Sequence, residues 1–178
     1  MQSSNSKLIF GYGSLINCES LRATVPNANN NKPAYIKGFV RNFSLWDPEG
    51  FTETNLDLAG IPHCALDVQK STNKDSQVNG IVFIVDNTYF DNLLKRESGY
   101  KLIETIAYDF VAKQSIGKCF VFSADKNNGK FDFNSRAQRR YLEVCLNGAK
   151  EHGPRFYEEF IEQTYIGDVS LSKIPELL

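Results

Sequence analysis

Apolar residues along this chain fall mostly in short dense runs, separated by polar or glycine-bearing breaks, and only later at helical spacing. Leu8-Ile9-Phe10 has the make-up of a short buried strand. Residues 34–46 (Tyr35, Ile36, Phe39, Val40, Phe43, Leu45 and Trp46) are dense in β-formers around Gly38, which predicts one long strand or two strands with a bulge. Residues 64–68 and 78–85 predict further strands, the second of them buried. Residues 102–114 and 118–122 predict an antiparallel pair joined at Ser115-Ile116-Gly117. The 3.6-residue period enters at a short helix over 17–24. It returns after Asp86 or Asn87, where Phe90, Leu93 and Leu94 recur until Gly99. From Asn134 or Ser135, the residues Tyr141, Leu142, Cys145, Leu146 and Ala149 share one face until Gly153-Pro154. A second amphipathic helix follows with Phe156, Tyr157, Phe160 and Ile161. Residues 26–33, 47–50, 69–77 and 125–129 read as turns or loops, and the unpatterned stretch 51–63 as a mobile covering loop.

The first strand ends in Gly11-Tyr12-Gly13-Ser14-Leu15-Ile16, where two glycines let the backbone turn tightly and present bare N–H groups. A dinucleotide fingerprint requires a third glycine where Ile16 stands, and a nucleophile elbow requires Gly two residues after Ser14. Both patterns fail. Two readings remain: an ordinary tight turn, or an amide cradle for an anion or carbonyl to which Ser14 adds a hydroxyl.

Continuing the period of the middle helix puts Glu97 on the same face as its leucines. A partly desolvated carboxylate is raised toward neutrality, where it can both accept and return a proton. The competing expectation is a carboxylate frayed at the helix end, or paired with Arg96 or Lys101.

At 178 residues, 42% hydrophobic, the chain suits one well-packed domain, read here as spanning 1–178. Twenty basic and twenty-one acidic residues leave a net charge of −1, which gives no electrostatic case for nucleic acid or an anionic membrane and favours small neutral or zwitterionic partners. Arg136, Arg139 and Arg140 on the long helix read as a solvated face. Cys18, Cys64, Cys119 and Cys145 are scattered, and His63 and His152 stand singly, so no metal site is expected. The polar start and the lack of an apolar run of membrane-spanning length give the expectation of a soluble cytoplasmic protein. Trp46 is expected in the core or a pocket wall, and oligomeric state is not legible.

Phe10-Gly11-Tyr12-Gly13-Ser14-Leu15-Ile16, Gly38-Phe39-Val40-Arg41-Asn42-Phe43, Val78-Asn79-Gly80-Ile81-Val82-Phe83 and above all Leu93-Leu94-Lys95-Arg96-Glu97-Ser98-Gly99-Tyr100 together resemble the γ-glutamylcyclotransferase-like superfamily, in order over most of the chain. Tyr-Gly-Ser-Leu and Arg-Glu-x-Gly-Tyr resemble its ChaC-type and bacterial members; a departure is Asn17, where ChaC proteins usually carry tryptophan. The resemblance implies an α+β fold, a small mixed or antiparallel β-barrel-like sheet with flanking helices, the C-terminal ones at about 134–165 packing on the barrel. It implies a cofactor-free reaction: the α-amine of a small γ-glutamyl peptide or amine attacks its own γ-carbonyl and releases 5-oxoproline. Glu97 would be the catalytic acid/base, and Tyr12, Gly13, Ser14 and Leu15 would grip the glutamyl moiety and its oxyanion. Tyr100 and Tyr141 are secondary candidates for hydroxyls in the pocket, and Arg41 for orienting a substrate carboxylate or, equally, for pairing with a structural acid. A specialised relative that unmasks a γ-glutamyl metabolite, and a non-catalytic ligand-binding module, are the alternatives.

The chemistry suits these residue types. Amine and carbonyl belong to one molecule, so holding a folded conformer contributes several kcal/mol. A single carboxylate can carry the proton from the α-ammonium to the departing nitrogen, worth roughly a hundred- to ten-thousand-fold.

Overall fold

A computed structural model of the chain describes residues 6–28, 31–50 and 60–178. The first apolar run forms β1 (Ser6–Gly11), which pairs antiparallel with β5 (Gln77–Asp86). β5 pairs with β2 (Lys32–Lys37), β2 with β6 (Lys101–Asp109), and β6 with β7 (Ser115–Ser123). A short parallel contact of Ile9 and Phe10 with Phe120 and Val121 returns β7 to β1 and closes a five-stranded barrel. Closure removes the open edges of this sheet. A second sheet carries β3 (Phe39–Asp47) and β4 (His63–Lys70), with β8 (Thr164–Ile166) and β9 (Val169–Ser170), in the order β4-β3-β8-β9. The fold is α+β with a mixed barrel-like sheet and flanking helices.

Side-chain caps start three of the four described helices. Asn17 accepts from the Ser20 N–H at α1 (Cys18–Thr24), Asp86 from Tyr89 at α2 (Asn87–Arg96), and Ser135 from Gln138 at α3 (Arg136–Glu151). Proline in the first turn starts α4 (Pro154–Glu162). Tyr141, Leu142, Cys145, Leu146 and Ala149 of α3 are all buried, as are Phe156 and Phe160 of α4, in one core cluster that reaches both sheets. Among the described residues no helix is long and apolar enough to cross a membrane.

The run 34–46 is two strands in different sheets. Gly38 lies between them at φ +76°, a turn that sends β2 into the barrel and β3 into the other sheet, and the bulge falls inside β3 between Phe43 and Leu45. The β6–β7 connection also differs from the expectation at 115–117. The turn lies at 110–114, where the Asp109 carboxylate accepts from the Val111 and Ala112 N–H groups and Lys113 has φ +60°, and Gly117 sits within β7. A local aspartate turn outweighed the glycine as the punctuating signal. β8 and β9 are three and two residues long, too short to show periodicity. Of the expected covering loop 51–63, residues 51–59 lie outside the described residues and His63 already opens β4.

α3 crosses directly over the turn that follows β1. A Cβ at Gly148 would stand 2.5 Å from the Asn17 backbone nitrogen. Gly148→Ala is therefore expected to destabilise the protein by about 1–3 kcal/mol, because backbone and not a flexible side chain must give way. Urea unfolding of the two proteins measures it; equal midpoints and slopes would show that the contact yields freely.

Candidate active site

β1 ends at Gly11, and the chain passes through Tyr12 and Gly13 into a single 3-10 turn, Ser14–Ile16. The turn's own bonds run from Ile16 N–H to the Gly13 carbonyl (3.0 Å) and from Asn17 N–H to the Ser14 carbonyl (3.2 Å). The N–H groups of Gly13, Ser14 and Leu15 precede the first of these bonds, as at any helix start. All three residues line a cavity that, counted with its open mouth, encloses about 630 Å³. Gly13 is tightly fitted to its wall, since a Cβ there would lie 3.2 Å from the Tyr141 hydroxyl.

Glu97 lines the same cavity. It is the last cap of α2: its N–H donates to the Leu93 carbonyl (2.9 Å), and its own carbonyl accepts from Tyr100 (3.1 Å), with Gly99 at φ +94° making the reversal. The face it continues is that of fully buried Leu93, one turn earlier, while Leu94 points outward and is 41% exposed. The helical period thus finds the glutamate, with one wrong leucine in the stripe. Its side chain is 14% exposed, and its Oε1 lies 3.4 Å from Nε of Arg96. The pairing with Arg96 that sequence offered as an alternative is present, and it lies inside the cavity wall.

Three tyrosines complete that wall, each with its hydroxyl tied to backbone. Tyr12 donates to the Phe122 carbonyl (2.7 Å), and Tyr100 donates to the Leu66 carbonyl (2.9 Å). Tyr141 accepts from the Leu66 N–H (3.1 Å). Leu66 lies on the outer edge of β4, and the same edge is satisfied at Cys64 by both ends of the Gln138 amide (2.8 and 2.9 Å) and at Val68 by the Ser123 hydroxyl (2.6 Å). An exposed strand edge is thereby closed by side chains, which explains why two of the tyrosines are where they are. Burial pushes all three phenols well above their ordinary range, and the negative charge of Glu97 adds to it, so they stay neutral donors at physiological pH.

His63 and Asp47, cross-strand partners on β4 and β3, also line the cavity and carried no signal in the sequence. The His63 ring lies against Tyr141, centroids 4.6 Å apart, with Nδ1 3.3 Å from the Ile61 carbonyl. Burial lowers its pKa below the ordinary value, which keeps it neutral near pH 7. Behind the wall, fully buried Asp67 accepts from the Ala124 N–H (2.9 Å), and desolvation raises its pKa.

One residue chosen for the site stands elsewhere than expected. Arg41 is fully buried and does not line the cavity. Its guanidinium donates to Thr164 Oγ1 (2.8 Å), to the carbonyls of Tyr12 (3.1 Å), Asn79 (2.6 Å) and Phe160 (3.0 Å), and to Asn79 Oδ1 (2.9 Å), and it lies 3.9 Å from the Phe160 ring centroid. It ties β3, β5, the glycine turn and the end of α4 together, with its donors already engaged. Trp46 is 43% exposed and flanks a surface groove beside the cavity mouth. Asn17, the departure from the pattern of the resemblance, caps α1 and donates to Glu151 (3.1 Å). Arg136, Arg139 and Arg140 are exposed, Arg140 pairing with Glu143 (3.2 Å), as a solvated face would be.

Residues 7–149 match the model of the ChaC-like protein family, well over half of the chain and including every cavity residue named above. The chain belongs to the ChaC-like family. Its fold is that of the γ-glutamyl cyclotransferases: a solved γ-glutamyl cyclotransferase superposes with a TM-score of 0.64 at 20% identity, over 97% of this chain and 98% of that one. An uncharacterised human protein gives 0.60 at 21% identity, over 97% and 98%. A yeast γ-glutamyl cyclotransferase specific to glutathione gives 0.58 at 12% identity, over 95% and 99%. No curated protein matches the sequence significantly. In this ChaC-like chain, seven of the eight residues selected from sequence, all but Arg41, meet around one cavity.

Proposed function

We propose that this ChaC-like protein is a cofactor-independent γ-glutamyl cyclotransferase acting on a small γ-glutamyl peptide or amine. The observation that carries the reading is the meeting of Glu97 and the amide-bearing turn Gly13-Ser14-Leu15 on one cavity, with Arg96 reaching both Glu97 and Ser14.

Glu97 takes a proton from the substrate's α-ammonium, which becomes a nucleophile only then. The freed amine attacks the γ-carbonyl of the same molecule, and the carbonyl oxygen becomes an oxyanion. In this reading the amides of Gly13, Ser14 and Leu15, with the Ser14 hydroxyl, stabilise it, at roughly 3 kcal/mol per donor. The carbon–nitrogen bond to the leaving amine then breaks as Glu97 gives its proton to that nitrogen, and the carboxylate so freed takes the second proton from the attacking nitrogen and passes it to the departing amine, so that 5-oxoproline is released with a neutral ring N–H. The tyrosines, anchored through backbone, shape the cavity around the folded conformer. No serine nucleophile is needed in this scheme.

Release of 5-oxoproline from a panel of γ-glutamyl dipeptides, γ-glutamylamines and glutathione tests the reading. Release above the uncatalysed rate from at least one member is expected, and the preferred member names the leaving group. Tight binding of a γ-glutamyl ligand with no release from any of them would show a binding module instead.

A further inference from the structure

Arg96 carries more contacts than a surface ion pair would need. Its Nη1 donates to the Ser20 carbonyl (2.7 Å) and to Thr24 Oγ1 (2.9 Å), and its Nη2 to Ser14 Oγ (2.9 Å) and Ser20 Oγ (2.7 Å). Nε faces Glu97 at 3.4 Å, and the side chain is 8% exposed. One planar group thus fixes the end of α2, the body and end of α1 and the glycine turn in a common frame.

We propose that Arg96 is a positioning residue that keeps Glu97 ionised as a base and, by donating to Ser14 Oγ, turns the Ser14 hydroxyl proton toward the cavity as an oxyanion donor. The inference rests on the cyclotransferase reading for the identity of the oxygen that Ser14 serves.

The Ser14 half follows from hydrogen-bond direction. An oxygen that accepts from a guanidinium directs its own proton elsewhere, and the cation polarises that O–H into a stronger donor. The Glu97 half follows from the charges around it. Tyr12, Tyr100 and Tyr141 face it from the turn after β1, the β6 entry and α3 and are held neutral by burial, as is His63 on β4. Asp47 shares the cavity from β3, and Asp67 lies behind it on β4; the thiols of Cys64 and Cys145 are pushed up to about 12 by burial, and the Arg41 cation behind Tyr12 is bound to Thr164, Asn79 and backbone carbonyls. Arg96 is the permanent cation among the described residues that line the cavity, and residues 1–5, 29–30 and 51–59 contain no lysine or arginine. A lysine could supply the charge but could not span these acceptors, because its ammonium is a single point with three donors.

The test is a titration of the Glu97 side-chain carbon by NMR in the parent, Arg96→Gln, Arg96→Lys and Ser14→Ala, followed by turnover of the same proteins and of the double variants Arg96→Gln/Ser14→Ala and Arg96→Lys/Ser14→Ala. The Glu97 midpoint is expected to move up by about one pH unit in Arg96→Gln, to stay near the parent's in Arg96→Lys, and to be unchanged in Ser14→Ala. Turnover is expected to fall roughly a hundredfold in Ser14→Ala, and adding that change to Arg96→Gln or to Arg96→Lys should cost less than threefold more. An unmoved midpoint in Arg96→Gln, or a Ser14→Ala penalty undiminished in either Arg96 background, would overturn the proposal. The titration uses no substrate, so it reads the charge argument whether or not any γ-glutamyl compound is turned over. Should Arg96→Gln fail to fold, Arg96→Lys carries the Ser14 cycle alone.

Discussion

Glu97→Gln is expected to reduce 5-oxoproline release by roughly a hundred- to ten-thousand-fold, with the melting temperature little changed. The amide has the size and shape of the carboxylate and leaves the backbone bonds at the end of α2 as they are. It cannot take up the ammonium proton, and the attack on the carbonyl stalls for want of a nucleophile. The effect should fall on kcat more than on KM, since the proton moves only as the reaction proceeds. Initial rates with the preferred γ-glutamyl compound, alongside a thermal melt, measure it. Retention of more than about a tenth of the rate in a folded Glu97→Gln protein would exclude Glu97 as the acid/base.

The largest stability effect is expected at a residue outside the cavity. Arg41→Met should lower the free energy of unfolding by about 3–5 kcal/mol, the range seen when one member of a buried charged network is removed. Methionine fills much of the space but takes the Arg41 donor from the carbonyls of Tyr12 and Asn79 and from the Asn79 side-chain oxygen, while the Phe160 carbonyl keeps the Thr164 hydroxyl as a donor (2.6 Å). Each buried acceptor so stranded costs about 1–3 kcal/mol before the surroundings relax. Burial pulls the Arg41 guanidinium down to about 9, so it is still a cation at neutral pH. Arg41→Lys should recover only part of the loss, because one ammonium cannot reach acceptors spread over β5, the glycine turn and α4. Urea unfolding at pH 7 is the measurement, and a loss below about 1 kcal/mol in Arg41→Met would show the network to be dispensable.

These two residues also mark how far sequence reading reaches. Glu97 was legible as a candidate because a carboxylate at helical spacing from buried Leu93 is chemically out of place, and the resemblance, not the spacing, chose between that and a frayed or paired carboxylate. Arg41 was legible only as a charged residue within an apolar strand, which fits a substrate ligand and a partner of a structural acid equally well. It is neither, because its partners include Asn79, Phe160 and Thr164, between 38 and 123 residues away. Tyr100 and Tyr141 are similar: their hydroxyls are drawn to the edge of β4, a need that arises only once β4 lacks a neighbouring strand. His63 and Asp47 gave no signal because they stand on the cavity through pairing of β3 with β4, and register is not written in either strand alone.

What the chain by itself determined is therefore local. The β-runs, the capped helices over 87–96 and 136–151, the glycine turn and the glutamate ending its helix all follow from dihedral preference, side-chain period and hydrogen bonding within a few residues. Tertiary structure alone decided the rest. It separated β2 from β3 at Gly38, closed the barrel through a contact of β1 with β7, and placed Arg96 across Ser14, Ser20 and Thr24, some 70 to 80 residues earlier in the chain. The physical reason is that burial, strand partners and the pairing of a buried charge are properties of the space around a residue, and that space is built by segments distant in sequence.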